Sequence, residues 1–145
     1  MKIKHISPDF AVSEQVAPGD CAALAAAGFG TLINNRPDAE VGPDLQSAAM
    51  QAAAEAAGLR YVANPVVMSE LSMTMVEAQA AAIAEAEAPV FAYCRSGTRS
   101  TLVWALAQAG KMDTADILSA AAEAGYDLSA YSGQIEALAA QKSTS

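Results

Sequence analysis

Residues 93–101 read Tyr-Cys-Arg-Ser-Gly-Thr-Arg-Ser-Thr, between the apolar run Pro89–Tyr93 and the helical pattern Thr101–Ala109. A cysteine leaving a buried strand and entering a glycine-containing loop ahead of a helix is placed to act as a thiolate. Loop N–H groups and the helix N-terminus supply positive potential where a sulfur anion or a bound oxyanion would sit. Arg95 and Arg99 add two full charges nearby. Such surroundings favour the thiolate, the nucleophilic form of cysteine. A cysteine serving only as core filling needs neither the arginines nor Gly97, so Cys94 is the candidate nucleophile. Ser96, Gly97, Thr98 and Ser100, with Arg95, are the candidate anion-binding loop. The hydroxyls of Ser100 and Thr101 could equally serve the local helix backbone.

A second group stands earlier, in Ile33-Asn34-Asn35-Arg36-Pro37-Asp38. Arg36 is a candidate for holding an anion or ordering the cysteine loop, and Asp38 a candidate acid. Glu70, in Met68-Ser69-Glu70, is the other carboxylate at a workable distance before the cysteine, because no aspartate falls between Asp44 and Asp113. Cys21 lies in an alanine-rich helical stretch and reads as packed and inert. His5 is the single histidine, so no recognisable ligand spacing predicts a metal site. Neither a Gly-x-Gly-x-x-Gly nor a P-loop Lys-Ser/Thr is present, so no nucleotide cofactor is expected.

The elements that must position these residues follow from pattern and punctuation. Lys2–Ile6 and Phe10–Ser13 read as a small edge hairpin. A helix opening at Pro18-Gly19-Asp20 closes at Gly28 and Gly30. Thr31–Asn34 is a strand ended by turn chemistry. Asp44–Ala57 reads as a helix capped by Asp44, and Arg60–Val67 as a strand interrupted at Pro65. Ser72–Ala86 is a helix capped by Ser72 or Thr74, Pro89–Tyr93 the strand delivering Cys94, and Gly97–Gly110 its loop and helix. Thr114–Ala124 and Leu128–Ala140 are two more helices. This alternation predicts an α/β fold with a mostly parallel sheet flanked by helices. Ligands of such sheets bind beyond the carboxyl ends of the strands, where both Asn34–Asp38 and the Cys94 loop fall. One domain over residues 1–140 is expected, with a mobile tail over 141–145.

The 145 residues carry 8 Lys and Arg against 16 Asp and Glu, a net charge of −8. That balance argues against nucleic acid and anionic membrane surfaces as partners. Between His5 and Cys94 the cations are Arg36 and Arg60 alone, and two arginines then fall within five residues of the cysteine. Positive charge concentrated at one loop of an acidic chain suits a small anionic substrate. No apolar stretch follows the Met-Lys-Ile-Lys-His start, and no run approaches a membrane span. A cytoplasmic protein with two reduced cysteines is the expectation.

The segment Cys94-Arg95-Ser96-Gly97-Thr98-Arg99-Ser100 resembles the loop of single-domain rhodaneses, whose cysteine carries a persulfide sulfur between donor and acceptor. It also resembles the phosphate loop of cysteine-dependent phosphatases, His-Cys-x-x-Gly-x-x-Arg-Ser/Thr, with Cys94, Gly97 and Thr101 in register. Tyr93 stands in place of that histidine and Ser100 in place of the clamping arginine; Arg99 comes one residue early. Together with Ile33–Asp38 the loop resembles the phosphatase-like domain of β-lactamase-hydrolase-like proteins, over roughly Met1 to Ala140. That resemblance implies a dual-specificity-phosphatase-like fold, a role in sulfide detoxification and a persulfide dioxygenase as partner. The early arginine and the lack of a clear acid favour sulfur transfer through a Cys94 persulfide, from thiosulfate or a persulfide. Cysteine-dependent hydrolysis of a phosphate ester is the alternative, with Asp38 or Glu70 as acid; a non-catalytic anion-sensing module is a third.

Overall fold

The computed structural model describes residues 1–143. β1 (Lys4–Ser7) and β2 (Phe10–Ser13) form the antiparallel hairpin expected at the sheet edge. The chain then runs through α1 (Cys21–Ala26), β3 (Thr31–Asn34), α2 (Ser47–Ala56), β4 (Arg60–Ala63), α3 (Met73–Glu85) and β5 (Val90–Tyr93). Three helices close it: α4 (Thr98–Gln108), α5 (Thr114–Glu123) and α6 (Ser132–Ser143). The five strands are ordered β1-β2-β5-β3-β4, and β2, β5, β3 and β4 are parallel.

β5 lies at the centre and is buried along its whole length, as is β3. Continuous apolar runs are what parallel strands covered on both faces require. Alternate residues go to opposite faces. Phe10, Val12, Ile33, Val90 and Ala92 meet a core built from α3, α4, α5 and α6. Ala11, Leu32, Phe91 and Tyr93 meet a second core with Cys21, Leu24 and Met50 from α1 and α2. α4 is enclosed by this packing: every residue from Ser100 to Ala107 is buried, and the Trp104 ring stacks near Phe10 at 6.2 Å between centroids. A helix this enclosed holds its N-terminus rigidly against the end of β5.

Several boundaries differ from the sequence reading: β1 is Lys4–Ser7 rather than Lys2–Ile6, and α6 begins at Ser132 rather than Leu128. α2 starts at Ser47, not Asp44, because the Ser47 N–H finds its acceptor in the Asp38 carboxylate at 2.7 Å. β4 stops at Ala63 rather than running to Val67, since Pro65 has no N–H to give. Its continuation still follows β3 through Asn64 N–H to Asn34 O and Val66 N–H to Asn35 O, both 2.9 Å. α6 extends through Gln141 and Lys142 into the segment assigned to a tail; Thr144 and Ser145, the rest of that tail, lie outside the described residues.

Candidate active site

Cys94 follows the last residue of β5 and is buried, 1% exposed. The Gly97 N–H donates to its Sγ at 3.1 Å. What aims that amide is the treatment of three successive carbonyls, each tied back to the scaffold. Arg95 O accepts from the Gln15 N–H (3.3 Å), Ser96 O from the Tyr126 hydroxyl (3.0 Å), and Gly97 O from the Thr101 N–H and hydroxyl (3.0 and 2.8 Å). With these carbonyls turned outward the Gly97 N–H is left facing the sulfur, the beginning of an anion nest, while the Thr98 N–H turns to Ser96 Oγ at 3.5 Å. Gly97 makes the bend at φ 95°, and a Cβ there would collide with the Tyr126 hydroxyl. α4 begins at the next residue and brings its N-terminal potential to the same point.

Arg99 lies over this loop. Its Nη1 donates to Glu40 Oε2 and to Val66 O, both at 2.8 Å, and its Nη2 to Glu40 Oε1 at 2.7 Å. Glu40 in turn takes Arg36 Nε at 3.2 Å, and Arg36 Nη1 reaches Gln15 Oε1 at 3.2 Å. Glu40 thus grips the end of the Arg99 guanidinium. Three of the five donors are used, which leaves Nε–H and the Nη2–H beside it, a side-on edge suited to an oxyanion. The bond to Glu40 first, and then the Cys94 sulfur, hold the Arg99 charge firmly in place by raising its basicity. Hydrogen bonding from Arg99 holds the Glu40 carboxyl below the usual carboxylate range.

The two loops expected beyond the carboxyl ends of the strands lie side by side at that edge. Asn35 N–H donates to Tyr93 O (2.9 Å), joining the residue after β3 to the last residue of β5. The Asn35 side chain enters a buried amide cluster, giving its Nδ2 protons to Asn64 O and Gln79 Oε1 at 2.9 Å and accepting from Gln79 Nε2 at 3.2 Å. Asn64 Nδ2 also donates to Gln79 Oε1 (3.0 Å) and to Met75 O (2.9 Å). This cluster fixes Asn64 and so the backbone leading to Val66, the second holder of Arg99.

The remaining candidates are placed differently from one another. Arg95 is exposed beside the loop, as are Ser96 and Thr98, whose hydroxyls pair at 3.0 Å. Ser100 is not at the rim: it is fully buried in α4 and its hydroxyl has no partner among the described residues. Tyr93 is turned into the α1/α2 core, and burial pushes its hydroxyl pKa far up. Asp38 is exposed and committed to the start of α2, at the edge of a cavity of about 350 Å³ shared with Asn34, Arg36, Ser47 and Pro65. Glu70 is exposed on the short turn Met68–Glu70, just beyond Val66. Glu40, Tyr126, Asn64 and Gln79 were not read from the sequence. The Arg36–Glu40 spacing was a usable signal for the first; Gln79 looks like any polar residue of an alanine-rich helix. Among the described residues no three His, Cys, Asp or Glu side chains gather as a metal would require, and no helix is long and apolar enough to cross a membrane.

Residues 2–111 match the model of the β-lactamase hydrolase-like protein, phosphatase-like domain family. The chain belongs to that family. It is 33% identical over 138 residues to a β-lactamase hydrolase-like protein of Agrobacterium fabrum, covering 94% of this chain and 32% of that protein. The chain therefore spans about a third of the length of the curated relative. Among solved structures, a putative phosphatase from Neisseria meningitidis superposes with a TM-score of 0.82 at 31% identity, over 95% of this chain and 99% of that one. TpbA of P. aeruginosa, solved in complex with pTyr, has the same fold: TM-score 0.68 at 18% identity, covering 99% of this chain and 91% of TpbA. The fold is that of the cysteine-dependent, dual-specificity-type phosphatases.

These findings correct the choice of reaction. Sulfur transfer was favoured because Arg99 falls one residue early and Ser100 occupies the arginine position of the phosphatase pattern. Both the family and the Neisseria structure are phosphatase-like, and the geometry removes the objection. The position after Arg99 holds a serine buried in α4, whereas Arg99 is itself coupled to Cys94. The persulfide dioxygenase partner that the family resemblance implied finds no support in these relatives.

Proposed function

We propose that this domain is a cysteine-dependent phosphatase acting on aryl phosphate monoesters such as phosphotyrosine. The observation that most supports the reading is the open side-on edge of Arg99 above a buried cysteine whose sulfur takes the Gly97 N–H. Two nonbridging phosphate oxygens take Arg99 Nε–H and Nη2–H, and the loop amides take the rest. The Cys94 thiolate attacks phosphorus; an S–P bond forms as the bond to the leaving oxygen breaks. Water then attacks the phosphocysteine, the S–P bond breaks, and inorganic phosphate and the thiolate are released.

Proton supply decides the substrate class. Asp38 is held by the Ser47 N–H, so the acid assigned to the leaving oxygen is Glu70, exposed on the turn Met68–Glu70, and water returns its proton in the second step. An exposed acid of this kind gives modest help, and the reaction then favours leaving groups that need little, phenols over alcohols. The TpbA complex with pTyr and the exposed Arg95 at the loop fit an acidic aryl phosphate.

The test is hydrolysis of p-nitrophenyl, phenyl and alkyl phosphates by the wild type, Cys94→Ser and Glu70→Gln. We expect turnover in that descending order, none with Cys94→Ser, and a loss with Glu70→Gln on the order of ten-fold or more for phenyl phosphate but small for p-nitrophenyl phosphate. Hydrolysis that survives Cys94→Ser would overturn the reading.

A further inference from the structure

Tyr126 stands outside the 2–111 family match, in the turn that follows α5, yet its ring is buried and its hydroxyl donates to Ser96 O at 3.0 Å. Ser96 C=O and Gly97 N–H belong to one peptide unit, and in a trans peptide the two point in opposite directions. The amide of that unit donates to Cys94 Sγ at 3.1 Å. Holding the oxygen from one side therefore aims the proton at the sulfur on the other. Gly97, at φ 95°, has no Cβ to oppose rotation of this peptide, so the loop's own conformational preference does not secure it. The neighbouring carbonyls are held by the Gln15 backbone amide and by the start of α4; only the central one depends on a distant side chain.

We infer that Tyr126 is a positioning residue of the nucleophile: its hydroxyl locks the Ser96–Gly97 peptide with the N–H toward Cys94, and so sets the thiolate fraction. Without that lock the peptide turns over, and a carbonyl dipole replaces an N–H at the sulfur. The groups around the pair are few. Lys4 of β1 sits over the Tyr126 ring at 4.9 Å and Glu14, after β2, faces its hydroxyl; Arg99 faces the sulfur. Burial raises the Tyr126 hydroxyl above the ordinary tyrosine value, with Cys94 and Glu14 adding to the rise, so it remains a donor throughout the neutral range.

The inference rests on the thiolate nucleophile proposed above, and its readout need not involve turnover. Tyr126→Phe keeps the ring and its packing and removes one hydrogen-bond donor. Iodoacetamide alkylation of Cys94 is followed across pH, with Cys94→Ser as blank to remove Cys21. At pH 6 the alkylation rate is expected to fall about three- to ten-fold, the worth of one such bond, while the rate at pH 10 is unchanged. Hydrolysis of p-nitrophenyl phosphate is expected to fall in parallel. A purely structural role would lower the melting temperature and leave the pH profile where it was; that result overturns the inference. If Tyr126→Phe does not fold, 3-fluorotyrosine placed at 126 alone, a stronger donor of nearly equal size, replaces it. It must raise the pH 6 rate; an unchanged or lower rate overturns the inference. A profile that moves in a protein without phosphatase activity would uphold the Tyr126 role and sink the phosphatase reading.

Discussion

Ser100 and Arg99 show how far a one-residue offset can mislead when it is read along the chain rather than around a helix. Neighbouring residues of a helix lie about 100° apart: Arg99 faces the thiolate, and Ser100 enters the core with an unpartnered hydroxyl. Ser100→Arg, which would restore the phosphatase pattern on paper, buries a charge in α4 and is expected to unfold the domain rather than improve phosphate binding. Ser100→Ala removes an unsatisfied buried group and is expected to raise stability by about 1 kcal/mol without loss of turnover. Denaturant melts and p-nitrophenyl phosphate assays on the same samples check both. A Ser100→Ala protein that loses most of its activity would mean that the hydroxyl serves the reaction.

Among the elements, the strands were the most legible, and the reason is their burial. Thr31–Asn34 and Pro89–Tyr93 announced themselves as continuous apolar runs because each is covered on both faces, and their turn chemistry placed both loops at one sheet edge. Helix starts were less legible: α2 takes its first acceptor from Asp38, nine residues upstream, which local pattern does not reveal. Least legible was the support of Arg99. It uses Glu40 and Val66, and Val66 in turn is placed through Asn35, Asn64 and Gln79, far apart in sequence. Gln79 ties α3 to this network. Gln79→Ala strands two buried side-chain amides, and is expected to cost about 2–3 kcal/mol in urea unfolding and to weaken phosphate inhibition by loosening the Val66 segment. A loss of stability with phosphate affinity intact would confine the cluster to folding.

For the molecule as a whole, an acidic chain keeps a cationic site by anchoring it to one carboxylate. Glu40 is lowered, chiefly by its hydrogen bond from Arg99. A carboxylate lowered on folding contributes its stability in full above the ordinary value of about 4.3 and loses it as pH falls through the lower folded value. The pair is partly exposed, so the contribution is under about 1 kcal/mol. Glu40→Gln is therefore expected to melt slightly below the wild type at pH 7, with the gap closing as the pH falls below about 4. Thermal melts across that range decide it; a gap that widens in acid would contradict the assignment. The central claim, a phosphocysteine on Cys94, is met most directly by rapid mixing with p-nitrophenyl phosphate followed by acid quench. The account predicts a burst of p-nitrophenol approaching one equivalent of protein, and a single phosphoryl group on the peptide bearing Cys94. Phosphate release with no phosphoryl group found on Cys94, under conditions in which hydrolysis of the intermediate is the slow step, would contradict it.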